Sequence, residues 1–262
     1  MANGNFFRRT RQITLLILMA MLAAGTHLAR QRATSWESSL WVSIYPIAGD
    51  DSHATRAHIA DLSDERFDDI EEFMQREASR FGTGVSAPVR VDLGLPIDSL
   101  PPAPPESGGL PAIAWWSLKL RWWANRATAD QPGATPDIRL FAIYHDPDLT
   151  PAVPHSLGLK EGRLGIVHVF ADRRQRGSNQ VVMAHEMLHT LGASDKYAPA
   201  SNLPAWPDGF AEPERSPRYP QALAEIMAGR IPVSASSATI PRHLDQVVVG
   251  RATAAELNWL AH

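Results

Sequence analysis

Seventeen residues, Val181 to Tyr197, read VVMAHEMLHTLGASDKY and constrain the chain more than any other stretch. Residues four apart on an α-helix lie only about 40° out of phase, so His185 and His189 project from one face, a turn apart. Two imidazoles so placed can grip one metal ion. Glu186 is one residue step away from His185, close enough to reach a water beside the metal without being a ligand itself. Val181, Val182, Met183, Ala184, Met187, Leu188 and Leu191 would wrap such a helix in apolar packing. Ser178 and Asn179 are suited to cap its start, and Gly192 to stop it.

A catalytic zinc site usually takes three protein ligands and leaves one position open. The chain contains no cysteine, so a metal here must use His, Asp or Glu. After His189 the sequence runs TLGASD, and Gly192 allows a sharp turn that swings Asp195 back toward the ion. With 10 His and 17 Gly in 262 residues, a chance H-E-x-x-H arises roughly 2% of the time, and the added Gly and Asp lower that to the order of one in ten thousand. The spacing is therefore read as a metal site.

Elsewhere the composition sets bounds. With 44% hydrophobic and 20% charged residues the chain is that of a globular protein, long enough to bury a core. A formal net charge of -3 and the lack of any Lys/Arg run argue against a nucleic-acid partner. Residues 1–12 form a basic tail with Arg8, Arg9 and Arg11. They precede an apolar run over residues 13–29, ITLLILMAMLAAGTHLA, that ends at Arg30. Such a segment is read as a signal anchor, with a cleaved signal peptide and a buried helix as the alternatives. The arginine excess favours a cytoplasmic N-terminus, weakened by Arg30 and Arg32 on the far side. On either of the first two readings residues 36–262 are exported, to the periplasm or the extracellular space.

From Trp36 onward, apolar runs alternate with helical stretches, the pattern of an α+β domain. Strands are expected at Leu40–Ile47, Pro88–Leu93, Asp137–Asp146 and Arg163–Asp172. Ser63–Phe81 predicts a helix with Phe67, Ile70, Phe73, Met74 and Phe81 on one face and acids in its first turns. Pro96–Pro111 is too rich in Pro and Gly to be anything but a loop. Ala112–Ala129 predicts a further helix, which carries Trp115, Trp116, Trp122 and Trp123. A membrane-lying face or an aromatic platform is one reading of those four, but core packing against a sheet is favoured. No internal repeat divides the chain, and nothing in the sequence sets an oligomeric state.

His185, Glu186, His189, Gly192 and Asp195 resemble the signature of the metzincin zinc peptidases, in the snapalysin-like variant where Asp takes the place of the third His and a Tyr, here Tyr197, follows two residues on. AEIMAG (Ala224–Gly229) resembles the family's Met-turn and makes Met227 its methionine. The resemblance spans about Arg163 to Arg230. It implies a zincin-like mixed sheet, with the strand at Arg163–Asp172 beside the substrate, an active-site helix and a last helix from Thr253 in which Glu256 completes a capping box. It also implies Zn²⁺ on His185, His189 and Asp195, Glu186 as general base, and a protein or peptide substrate. If the chain were instead similar to the gluzincins, Glu225 or Glu212 would be the third ligand. Tyr197, Tyr219, His243 and Arg230 are unranked candidates for stabilising an oxyanion. The proline-rich link between Asp195 and Met227 departs from the family's pattern, so specificity is not carried over. The competing expectation is an inactive zinc-binding module that recruits partners through its Pro-rich loops, although zinc binding alone would not need Glu186.

Overall fold

The apolar runs of the N-terminal half become one five-stranded sheet. The computed structural model describes residues 35–105, 107–160 and 162–260. Strand β1 (Leu40–Ala48) pairs in parallel with β2 (Val89–Leu93) and β3 (Ile138–His145), and β3 pairs in parallel with β5 (Leu164–Phe170). A short strand, β4 (Leu157–Leu159), lies antiparallel on the outer side of β5 and closes the order β2-β1-β3-β5-β4. The fold is thus mixed α+β around a mixed sheet.

Alternate side chains of the central strands feed two separate layers, as the period of two requires. Val42, Ile44, Leu140, Ala142, Val167 and Val169 pack with residues of α2 (Asp68–Arg80) and α4 (Arg176–Leu191). Tyr45, Ile47, Phe141, Ile143, Leu164 and Ile166 pack with α3 (Gly109–Ala127) on the other face. A sheet covered on both faces explains why these strands read as near-continuous apolar runs. The first helix, α1 (His53–Ala60), buries only Thr55, so its sequence shows no apolar stripe.

Several expectations are corrected in detail. The helix expected over Ser63–Phe81 is broken: a 3-10 turn at Asp64–Arg66 precedes α2, because Asp64 Oδ1 accepts the Leu93 amide at 2.7 Å and is tied to the end of β2. Helix α3 starts at Gly109, ahead of Pro111, whose missing N–H costs nothing in a first turn. Of the four tryptophans on α3, only Trp116 is fully packed, at 7% exposure. Trp123 is half-buried against Phe141, while Trp115 and Trp122 are 62% and 68% exposed. Adjacent residues point about 100° apart on a helix, so each pair sends one ring to the core and the other outward.

After α4 the chain forms only short pairings: β6 (Tyr197–Ala198) with β7 (Leu203–Pro204), β8 (Ala224–Glu225) with β11 (Val247–Val248), and β9 (Ile231–Ser234) with β10 (Ser237–Thr239). Side chains of α2 pin this part to the rest. Buried Glu77 accepts the Val249 amide at 2.8 Å, and the Arg76 guanidinium donates to the carbonyls of Leu244 and Val247. The last helix, α5 (Arg251–Glu256), has no capping box. Thr253 donates to Glu225 at 2.7 Å and Glu256 receives Ser194 and Lys196, so both side chains serve tertiary contacts instead. The segment Ile13 to Ala29 and the arginines around it lie outside the described residues. Among the described residues, no helix is long and apolar enough to cross a membrane.

Candidate metal centre

Helix α4 begins earlier than its sequence suggested, at Arg176. Asp172 caps the 3-10 turn before it by accepting the Arg174 amide at 2.9 Å, and Ser178 folds back onto Gln175 rather than capping. Asn179 is no cap either. It exchanges two hydrogen bonds with the backbone of Phe170, at 2.8 and 3.2 Å, and so fixes the helix against the end of β5. The far end matches expectation: Gly192 adopts φ 108°, a left-handed stop that L side chains resist, and its N–H and that of Ala193 both reach back to the Leu188 carbonyl.

That turn delivers Asp195 to the histidines. His185 Nε2 and His189 Nε2 are 3.0 Å apart, and Asp195 Oδ1 lies 3.3 Å from the first and 3.2 Å from the second. Donors on a tetrahedral ion at about 2.0–2.1 Å would be separated by about 3.3 Å. The remaining ring nitrogens are already committed. His185 Nδ1 donates to the Ile226 carbonyl at 2.9 Å, and His189 Nδ1 donates to the Ala193 carbonyl at 2.8 Å. Those bonds select the tautomer that leaves both Nε2 lone pairs bare, aimed at the point where the carboxylate also points. Three acceptors in one place repel unless a cation lies between them. His185, His189 and Asp195 can therefore hold a metal ion, and they are the group among the described residues whose ligand atoms converge in this way.

The loop that carries Asp195 is clamped on both sides. Glu256 accepts from the Ser194 amide at 2.9 Å, from the Ser194 hydroxyl at 2.6 Å and from the Lys196 ammonium at 2.8 Å. Lys196 also donates its amide to the Met227 carbonyl at 2.9 Å. Met227 is fully buried in a tight turn closed by the Ala228 and Gly229 amides on the Glu225 carbonyl, and the neighbouring Ile226 carbonyl is the one that orients His185. Burial opposes ionisation of Asp195, yet the adjoining His185 and His189 rings hold its carboxyl well below the usual range.

Glu186 is buried beside this cluster, and its Oε2 has no hydrogen-bond partner. Burial raises its pKa, and the nearby histidines and the Gly158 backbone offset that only in part. Two strands approach Glu186: β5, the Arg163–Asp172 segment, through Gly165, and the edge strand β4 through Gly158. A β-carbon at Gly158 would collide with the carbonyl oxygen of Glu186 and with His189 Cβ. Only glycine lets this backbone approach so closely. The signal was present in LGLKEGRLG (Leu157–Gly165), whose two Leu-Gly pairs face each other as Gly158 opposite Gly165.

The other candidates are dispersed. Glu225 is spent inside the fold, accepting from Thr253, from Gly250 at 3.0 Å and from Ala228 at 3.0 Å. Glu212 pairs with Arg215 at the surface. Tyr219 packs on Phe210, His243 packs against Gly177 at the opposite end of α4, and Arg230 follows the Met227 turn, half-buried. Tyr197 alone of the four oxyanion candidates is coupled to the cluster; burial, then the Asp195 carboxylate, raises its pKa and keeps the phenol protonated. No protein-family model and no curated protein matches this chain.

Proposed function

We propose that this chain is a zinc-dependent endopeptidase of the metzincin type, with a zincin-like fold and a catalytic domain exported from the cytoplasm. One observation carries the reading: two Nε2 atoms and one carboxylate oxygen converge within 3.3 Å of one another, beside a buried carboxylate with an unpaired oxygen. The same two-histidine, one-carboxylate set also suits ferrous iron. A buried base next to it is what hydrolysis needs, and that favours zinc.

Zinc bound to these donors supplies Lewis acidity toward a water and a substrate carbonyl. Glu186 takes the proton from that water and passes it to the leaving amine as the peptide bond breaks. Its burial strengthens hydrogen bonding to the water and excludes competing solvent. Of the four oxyanion candidates we assign the role to Tyr197, because its phenol stays protonated beside Asp195. β4 is one of the two edge strands of the sheet, and an extended peptide paired to its open side would pass Glu186. Met227, buried in the turn that orients His185, takes the part of the family's methionine.

Glu186→Gln tests this reading, because the amide keeps the shape of the side chain but cannot accept a proton. The variant should retain zinc, measured by elemental analysis at close to one per chain, and should lose peptide hydrolysis by about 10²–10⁴-fold. If neither form cleaves any member of a peptide library while both bind the same partners, the chain is a zinc-dependent scaffold instead.

A further inference from the structure

We infer that the outward face of α3 lies on a membrane surface rich in anionic lipid. Pro111, Trp115, Leu118 and Trp122 follow an i, i+4, i+7, i+11 spacing and form one stripe. Trp115 is 62%, Leu118 56% and Trp122 68% exposed, whereas Trp116, Leu120 and Ala124 on the opposite side are buried on the sheet. Helix α3 therefore has two apolar faces, and only one of them has a partner among the described residues. Leu110 at its first turn is 81% exposed, and Leu100, in the strap held to the helix by Trp116 and Trp123, is 56% exposed. Two indoles beside aliphatic side chains match the chemistry of a bilayer interface, where an apolar body and a polar N–H are both accommodated.

Charge decides between a membrane and a second protein surface. From Gly109 to Ala127 the helix carries Lys119, Arg121 and Arg126 and no carboxylate, in a chain whose net charge is -3. Lys119 and Arg126 are exposed and lie along one side of the stripe, with the Lys119 ammonium 6.0 Å from the Trp115 ring centroid. Arg121 packs over Gly162 instead. Two copies joined through this face would bring these cations together with no acid on either helix to pair them. Phosphate headgroups supply the missing anions. The adjoining residues 94–108 carry two acids, Asp98 and Glu106, against the three cations of the helix.

Tryptophan quenching in the full chain tests the inference, since residues 1–34 contain no tryptophan and the fluorescence reports on the folded part alone. The full chain is reconstituted into phosphatidylcholine vesicles, with and without about one-third phosphatidylglycerol, using acyl chains brominated at a shallow position. The wild type should be quenched in the anionic vesicles, and Trp115→Phe/Trp122→Phe should lower the quenched fraction at least about twofold. Lys119→Gln/Arg126→Gln retains all eight tryptophans and should be quenched equally with and without the anionic lipid. Both pairs of side chains are exposed, so neither variant disturbs the core. Equal quenching in wild type and the Phe variant would overturn the inference. So would a cross-linked dimer or a bound protein that shields Trp115 and Trp122 from an aqueous quencher while the bromolipid has no effect.

Discussion

Asp195 is the residue on which the ligand set turns. Its oxygen is equidistant from the two imidazoles to within 0.1 Å, at 3.3 and 3.2 Å, while Glu225, the competing third ligand, is fully buried and accepts three hydrogen bonds within the fold. Asp195→Ala should therefore weaken zinc binding by at least about a hundredfold in a competitive chelator titration. Asp195→His should restore part of it. A neutral imidazole carries one negative charge fewer, so the attacking water becomes more acidic and the pH-rate profile moves to lower pH. Glu225→Ala should leave zinc affinity nearly intact and instead cost roughly 2–4 kcal/mol of stability, since three buried donors lose their acceptor. Full affinity in Asp195→Ala would rule out the ligand set. The histidines, Glu186 and Asp195 were legible in the sequence because helix pitch and a glycine stop are local. Glu256 was not, because its hydrogen bonds to Ser194 and Lys196 join residues about sixty positions apart, and no spacing rule reaches that far.

Strands β3 and β5 hold a second pair of histidines. His145 terminates β3 and His168 lies in β5, with His145 Nε2 and His168 Nδ1 2.9 Å apart and the rings stacked at 5.2 Å. Burial, reinforced by His145, lowers the His168 pKa from the ordinary 6.5 to about 4. A folded pKa below the unfolded one means that the unfolded chain binds more protons between those values, so stability rises with pH across that window. The contribution is complete above about pH 6.5 and is lost as pH falls toward 4. His168→Gln keeps a hydrogen-bonding group and removes the titration. Between pH 7 and pH 5 the wild type should lose on the order of 1–2 kcal/mol more stability than this variant in urea unfolding, after discounting for the partial exposure of the ring. Identical losses would exclude the pair as the cause. At this scale the sequence was most readable where periodicity is strong, as in β1, β3 and α2. It was least readable in α1, which buries one residue, and in β4, whose three residues are defined by pairing with β5 rather than by composition. The tryptophans of α3 were half legible, Trp116 and Trp123 packing on the sheet as expected, because aromatic content alone does not say which face of a helix has a partner.

The molecule has two parts of unequal independence. The sheet with α2, α3 and α4 contains the long pairings and most of the fully buried large side chains, whereas residues 193–260 contribute strands of two to four residues and the short α5. That second part depends on tertiary ties: Glu77 and Arg76 on the segment Leu244–Val249, Glu225 on Gly250 and Thr253, and Glu256 on Ser194 and Lys196. A metal would add one more tie, since His185 and His189 belong to the helix and Asp195 to the loop beyond it. Ligand bound only to the folded state stabilises by RT ln(1 + [L]/Kd), about 4 kcal/mol at a thousandfold excess over Kd. Removing the ion should be felt locally, because short pairings open at lower free energy than a packed sheet. Hydrogen exchange with and without chelator should show faster exchange at Ala193–Ala198 and Ala224–Gly229, and at the Gly192 end of α4, with little change in β1 and β3. Uniform acceleration across the sheet would instead mean that metal and fold are one cooperative unit, with no stable metal-free form. No change anywhere would mean that the three donors hold their geometry without an ion.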